Sequence, residues 1–184
     1  MIKLNLGCGN NKFEGFINVD KSGHCQPDVK LDIEYDLWPW DYESVDEIVA
    51  FHILEHIENI DYVFKEMYRV CQHDAQIHIV VPHPRSDNFL GDFTHIRPII
   101  AETFHLLSKQ NNKEGIKLGS ATTPLAIIWN VDFEIIEQKV MIQEPWKTQL
   151  ANKEISETDI YRAIKMYNNV VDQTSVILRV IKDK

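Results

Sequence analysis

The 184-residue sequence predicts an α/β domain, a mostly parallel sheet between helices with an antiparallel strand pair at its C-terminal end. Three observations predict it. A short apolar run at 2–6 ends abruptly in Gly7-Cys8-Gly9. Residues 44–81 read strand, helix, strand, the order that pairs strands in parallel through a crossover. Residues 131–143 and 174–181 are long strand-like stretches with no crossover helix just before the second, which points to an antiparallel pair.

The elements follow in order. Residues 2–6 form a strand entering a tight turn, and 16–20 a second strand ending on Asp20. A third is expected over 29–33 and a buried fourth over 44–51. Residues 57–70 carry Ile57, Ile60, Val63, Phe64, Met67 and Val70 at three- and four-residue steps, the stripe of an amphipathic helix. A fifth strand, 76–81, stops at Pro82. Residues 83–98 and the Asn-, Gly-, Ser- and Thr-rich 109–124 read as loops, and 152–169 as a helical insertion before the last strand. The chain reads as one domain over 1–184, with substrate-side insertions at 83–124 and 145–172.

Composition narrows the function. The net charge is −9 with no dense Lys/Arg cluster, so phosphate-gripping nucleic-acid binding is not expected. No apolar run approaches the roughly 20 residues of a membrane span. The N-terminus lacks a signal-peptide pattern, so a cytoplasmic location without membrane contact is expected. Cys8, Cys25 and Cys71 form no C-x-x-C pair and read as free thiols. A small molecule, sugar or peptide is the expected partner.

The stretch LNLGCGNNKFEGFINVD carries the most chemistry. Glycines after a strand let the chain bend and let a ligand approach the backbone. The third glycine of G-x-G-x-x-G is absent, since position 12 is Lys12, and Asp20 follows Gly7 by only 13 residues. The link is too short for the helix whose N-terminus holds a pyrophosphate, so an adenosyl ligand without phosphates fits better. Here the sequence resembles the compact class I, type 11-like S-adenosylmethionine-dependent methyltransferases. The resemblance runs through LNLGCGNNKFEGFINVD, DLWPWDYESVDEIVAFHILEHI, QIHIVVP and GDFTHIRPIIAETF, over roughly the first 100 residues. It implies a Rossmann-like, three-layer αβα fold and S-adenosyl-L-methionine as cofactor. It also implies that Gly7, Cys8 and Gly9 line the methionine end and that Asp20 holds the ribose. Lys21 would border the adenine, Asp36 would accept from its amino group, Leu37 would cover the ring, and His52 would face the sulfonium.

His52-Ile-Leu-Glu55-His56 also has the H-x-x-E-H spacing of inverted zinc peptidases. That reading needs both imidazoles on one helix face, yet DEIVAF delivers His52 from the end of a strand. No metal is therefore expected. A zinc hydrolase on His52, Glu55 and His56, and a non-catalytic adenosyl-binding module, are the alternative functions. For an acceptor needing a base, His95, His83 and His52 are the candidates, and Arg97 is a candidate for orienting substrate.

Overall fold

A computed structural model describes residues 1–182. The chain runs through β1 (Ile2–Leu6), β2 (Ile17–Asp20), β3 (Val29–Lys30), β4 (Val45–Phe51), α1 (Ile60–Val70) and β5 (Cys71–Pro82). It continues through α2 (Asp87–Leu90), a 3-10 segment (Ala101–Leu107), α3 (Lys109–Lys117) and α4 (Leu125–Trp129). β6 (Phe133–Ile142), α5 (Trp146–Ala151), α6 (Glu157–Met166) and β7 (Val171–Val180) complete it. The strands form one sheet in the order β3-β2-β1-β4-β5-β7-β6. The first five pair in parallel, and β7 lies antiparallel between β5 and β6. This is the expected fold class.

The strand order reverses between β1 and β4, because the chain leaves β1 toward β3 and then returns to the other side of β1. Right-handed crossovers put the connections of the two halves on opposite faces and open a crevice at the carboxyl ends of β1 and β4. One face is thick. There α1 buries Val63, Phe64, Met67 and Val70, and the Phe64 ring meets Phe104, Trp129 and Phe133. The β1–β2 connection contains no helix, and Lys3, Glu47 and His78 cross the central strands half-exposed. Lys3 Nζ stands 2.7 Å from Glu47.

Four boundaries depart from the sequence reading. β3 stops at Lys30, because Tyr35 N and Asp36 N both donate to the Asp32 carbonyl and fold 32–36 into a turn. The helix expected from residue 57 begins at Ile60, after a separate 3-10 turn, Leu54–His56. β5 starts five residues early, at Cys71, directly off α1. The expected loop at 109–124 contains α3. That helix buries Asn112, which donates to Leu106 O and accepts from Ile127 N, so it has no apolar stripe to read.

Phe133 is the largest of the fully buried side chains and touches both Phe64 and Tyr68. Phe133→Ala is expected to cost about 3–5 kcal/mol, the usual range for deleting a core aromatic. Urea unfolding should show the midpoint falling with little change in slope.

Candidate functional site

The crevice is built from the bend after β1. Gly7 takes φ +64°, and a Cβ on it would lie 2.7–2.8 Å from the Ile53 side chain. Gly9, also at positive φ (+46°), donates its N–H to Asp20 Oδ2 at 2.9 Å. Asp20 Oδ1 accepts from Ser22 N at 2.7 Å, so one carboxylate ties the ends of two strands. Each of its oxygens keeps a further lone-pair direction for a ligand. The helix-free link is held by buried polar groups instead. Asn5 Nδ2 donates to Asn18 Oδ1 and to Asn11 O, both at 2.9 Å. Asp28 accepts from both the backbone and the side chain of Asn18, which holds its carboxyl below the usual range.

A cavity of about 440 Å³ opens at this edge. Gly7, Asp20 and Lys21 line one side, Asp32 and Ile33 the next strand end, and Ile53 and His56 the far side. The acid and apolar neighbour at the wall are therefore Asp32 and Ile33, not Asp36 and Leu37. Asp36 is turned back to accept from Asp32 N at 2.8 Å, and Leu37 is 87% exposed. The pair Asp32-Ile33 was legible as an acid just past a strand, the same signal that marks Asp20, but β3 was expected to run through it. Cys8 lies buried beside the bend and does not line the cavity. Burial, then the neighbouring Cys25 and Asp20, pushes its thiol up to about 11.

Beyond β4 the chain turns sharply. His52 has φ +54°, strained for a residue with a Cβ, and donates its N–H to Val80 O. Glu55 is 1% exposed, and both of its carboxylate oxygens lack a hydrogen-bond partner. Around it stand His52, with Nδ1 3.5 Å from Glu55 Oε1, and His95, with Nε2 4.0 Å from the same atom. The Glu55 carboxylate holds the His52 imidazole above its ordinary range, against the effect of burial. The His56 and His95 rings lie 4.7 Å apart. His52 and His95 share a second pocket of about 380 Å³ with Asn88, Asp172 and Gln173.

The structure does not bring His83 into this group. It lies in a separate groove with Arg85, Glu102 and Tyr161, where burial and then Arg85 lower its pKa. Arg97 donates to the carbonyls of Ile57 and Glu58, so its guanidinium fastens the loop instead of facing either pocket. Gln173 and Asp172 carried no sequence signal, since they sit on the last strand beside His52 and Asn88, 121 and 84 positions away.

Residues 4–79 match the family model described as a methyltransferase domain, type 11. That match covers the first five strands and α1, the part of the chain that holds the bend and both strand ends described above. Solved structures share the fold. A SAM-dependent methyltransferase from Archaeoglobus fulgidus is 22% identical with TM-score 0.59, covering 96% of this chain and 85% of that one. One from Methanosarcina mazei is 12% identical with TM-score 0.56, covering 98% and 92%. The [4+2]-cyclase SpnF is 14% identical with TM-score 0.57, covering 98% and 75%. No match is found among curated protein sequences. No helix among the described residues is long and apolar enough to cross a membrane.

Two outcomes follow from the bend. Gly7→Ala should cost about 1–3 kcal/mol through strain at positive φ, more if Ile53 cannot shift, read as a lowered melting temperature. With its pKa near 11, Cys8 is only about one part in a thousand thiolate at pH 8. Iodoacetamide mapped by mass spectrometry should therefore modify the partly exposed Cys25 well before Cys8.

Proposed function

We propose that this protein is a methyltransferase that transfers the methyl group of S-adenosyl-L-methionine to a small-molecule or sugar acceptor, with a peptide as the remaining class. The observation that carries the reading is the convergence of Gly7, Asp20, Asp32 and Ile33 on one cavity at the ends of three adjacent strands. The residues fit the cofactor. Gly7 lines the cavity with backbone alone, so a ligand can approach the bend closely. Asp20 offers two oxygens to a ribose diol, and Leu31, Ile33 and Ile57 offer apolar surface to a flat base with Asp32 beside it. Lys21 lines the same side. Bound there, the cofactor supplies a methyl group already activated on a sulfonium.

The protein's task is then alignment and exclusion of water. The second pocket, with His52, His95, Asn88, Asp172 and Gln173, adjoins the first through the His52–His56 turn and is the acceptor side of this reading. Its polar lining suits a hydroxylated acceptor. His52 or His95 takes the acceptor proton, and Glu55 positions both imidazoles. His83 and Arg97 have no part in it, for the reasons of placement above.

Calorimetry with S-adenosylhomocysteine tests the cofactor assignment. Asp20→Ala should lose about 1.5–3 kcal/mol of binding, tenfold to over a hundredfold, as charged hydrogen bonds disappear. Asp32→Ala should weaken binding, and Leu37→Ala should leave it unchanged. Equal affinity in parent and Asp20→Ala would sink the assignment. Incubation with S-adenosylmethionine and a panel of alcohols, sugars and peptides should release S-adenosylhomocysteine. Tight binding with no release from any acceptor would favour the non-catalytic module.

A further inference from the structure

We propose that Glu55, His56 and His95 form a binding site for a divalent transition-metal cation of the zinc class, with His52 as a neighbouring fourth donor. A ligand atom from each of Glu55, His56 and His95 lies within 4.8 Å of the others. The helix-based reading of H-x-x-E-H failed because His52 and His56 do not share a helix. The fold meets the need for another imidazole differently, by returning His95 from the loop after β5.

The hydrogen bonds around the rings define which nitrogens are free. His95 Nδ1 lies 2.9 Å from Phe89 O, which only accepts, so Nδ1 carries the hydrogen and Nε2 presents a lone pair. Thr94 Oγ1 gives its own hydrogen to Asp92 Oδ1 at 2.6 Å and accepts from His56 Nδ1 at 2.9 Å, which leaves His56 Nε2 free. His52 Nε2 lies 2.9 Å from Gln173 Oε1, and its Nδ1 points toward Glu55. Metal-binding histidines are commonly fixed in this way by a carbonyl or carboxylate on the far nitrogen.

His52 Nδ1 and His95 Nε2 stand 3.5 and 4.0 Å from a carboxylate that is 1% exposed and has no hydrogen-bond partner on either oxygen, and a His56 nitrogen completes the cluster within 4.8 Å. A carboxylate so deeply buried calls for a compensating cation beside it. A proton shared between His95 and Glu55 fits poorly, since 4.0 Å exceeds the roughly 2.7–3.2 Å of an N–H···O bond. An ion fits better. Donors bound tetrahedrally at about 2.0–2.2 Å lie roughly 3.3–3.6 Å apart, close to the 3.5 Å between His52 Nδ1 and Glu55 Oε1. Asp92 Oδ2, 3.7 Å from His95 Nε2, adds negative charge at the rim.

The site lies where the two pockets meet, with His56 on the cofactor cavity and His52 and His95 on the second. Resting on the methyl-transfer reading, an ion there would bind the hydroxyl or thiol of the acceptor and lower its pKa, the proton leaving to solvent.

The test uses the 184-residue chain, stripped with a chelator and titrated with Co²⁺ and Zn²⁺. One equivalent should bind, the Co²⁺ form showing a visible d–d spectrum of a nitrogen–oxygen site. His95→Asn and Glu55→Gln should each weaken binding by at least the roughly 10–100-fold that loss of an outer-shell partner costs. His83→Asn, in its separate groove, should change nothing. Melting temperatures identify any variant that fails to fold, and His56→Asn then serves in its place. No bound equivalent at micromolar ion, or unchanged affinity in folded His95→Asn and His56→Asn, overturns the site. S-adenosylhomocysteine calorimetry on the same samples separates this result from the methyl-transfer reading. Cofactor binding without metal defeats only the metal site, and metal without cofactor binding defeats only the methyl-transfer reading.

Discussion

The Ile53 side chain occupies the space where a Cβ of residue 7 would stand, and the carboxyl edge of the sheet is arranged around that contact. It permits only glycine without displacement, and it presses the bend after β1 against the turn after β4. Those two segments belong to neighbouring strands at the reversal of strand order, where an open α/β sheet has its crevice. Ile53 is flanked by His52 and precedes Leu54, which is completely buried. The apolar anchoring of 53 and 54 thus sets where Glu55 and His56 emerge. The cavity at Gly7 and the histidine cluster are two sides of one packed turn.

A second constraint is the lack of a helix between β1 and β2. In its place, buried amides and carboxylates hold the link: Asn5 on Asn18, Asn18 on Asp28, and Asp20 on Gly9 and Ser22. Such a network is stable only when its members are satisfied, because a buried polar group without a partner costs roughly 1–3 kcal/mol. The same groups leave the face on this side of the sheet thinly covered, with Lys3, Glu47 and His78 in half-exposed positions. Stability is concentrated on the opposite face, around Phe64, Met67 and Phe133.

Much of this was legible in the sequence, for definable reasons. The order of strands, the α1 stripe and the antiparallel pair follow from apolar periodicity, and Gly7, Gly9 and Asp20 from a strand that stops at a glycine or an acid. The remaining features have weak local signals or none. β3 contributes two residues to the sheet, so its end could not be placed, and the cavity acid was assigned to Asp36 instead of Asp32. The helix α3 turns its asparagine inward, which removes the periodicity that would reveal it. Gln173 and Asp172 join the second pocket through pairing of β7 with β5, a contact between segments about ninety residues apart.

His83 and His95 lie in one loop and looked equivalent, yet backbone bonding sends them apart. His83 N donates to Asp172 O, which prolongs the pairing of β5 with β7 and carries the imidazole into the groove beside Arg85. Farther on, Ile96 N and Arg97 N both donate to the carbonyl of Glu55. That pair of bonds draws the loop back over the Leu54–His56 turn, and the Arg97 guanidinium secures it on Ile57 and Glu58. Glu55 therefore acts at both ends: its carbonyl fixes the loop that delivers His95, and its carboxylate faces the imidazole so delivered. The spacing of H-x-x-E-H presupposes a continuous helix, and the positive φ of His52 breaks it. What the string supplies here is a buried acid whose partners are assembled by tertiary structure.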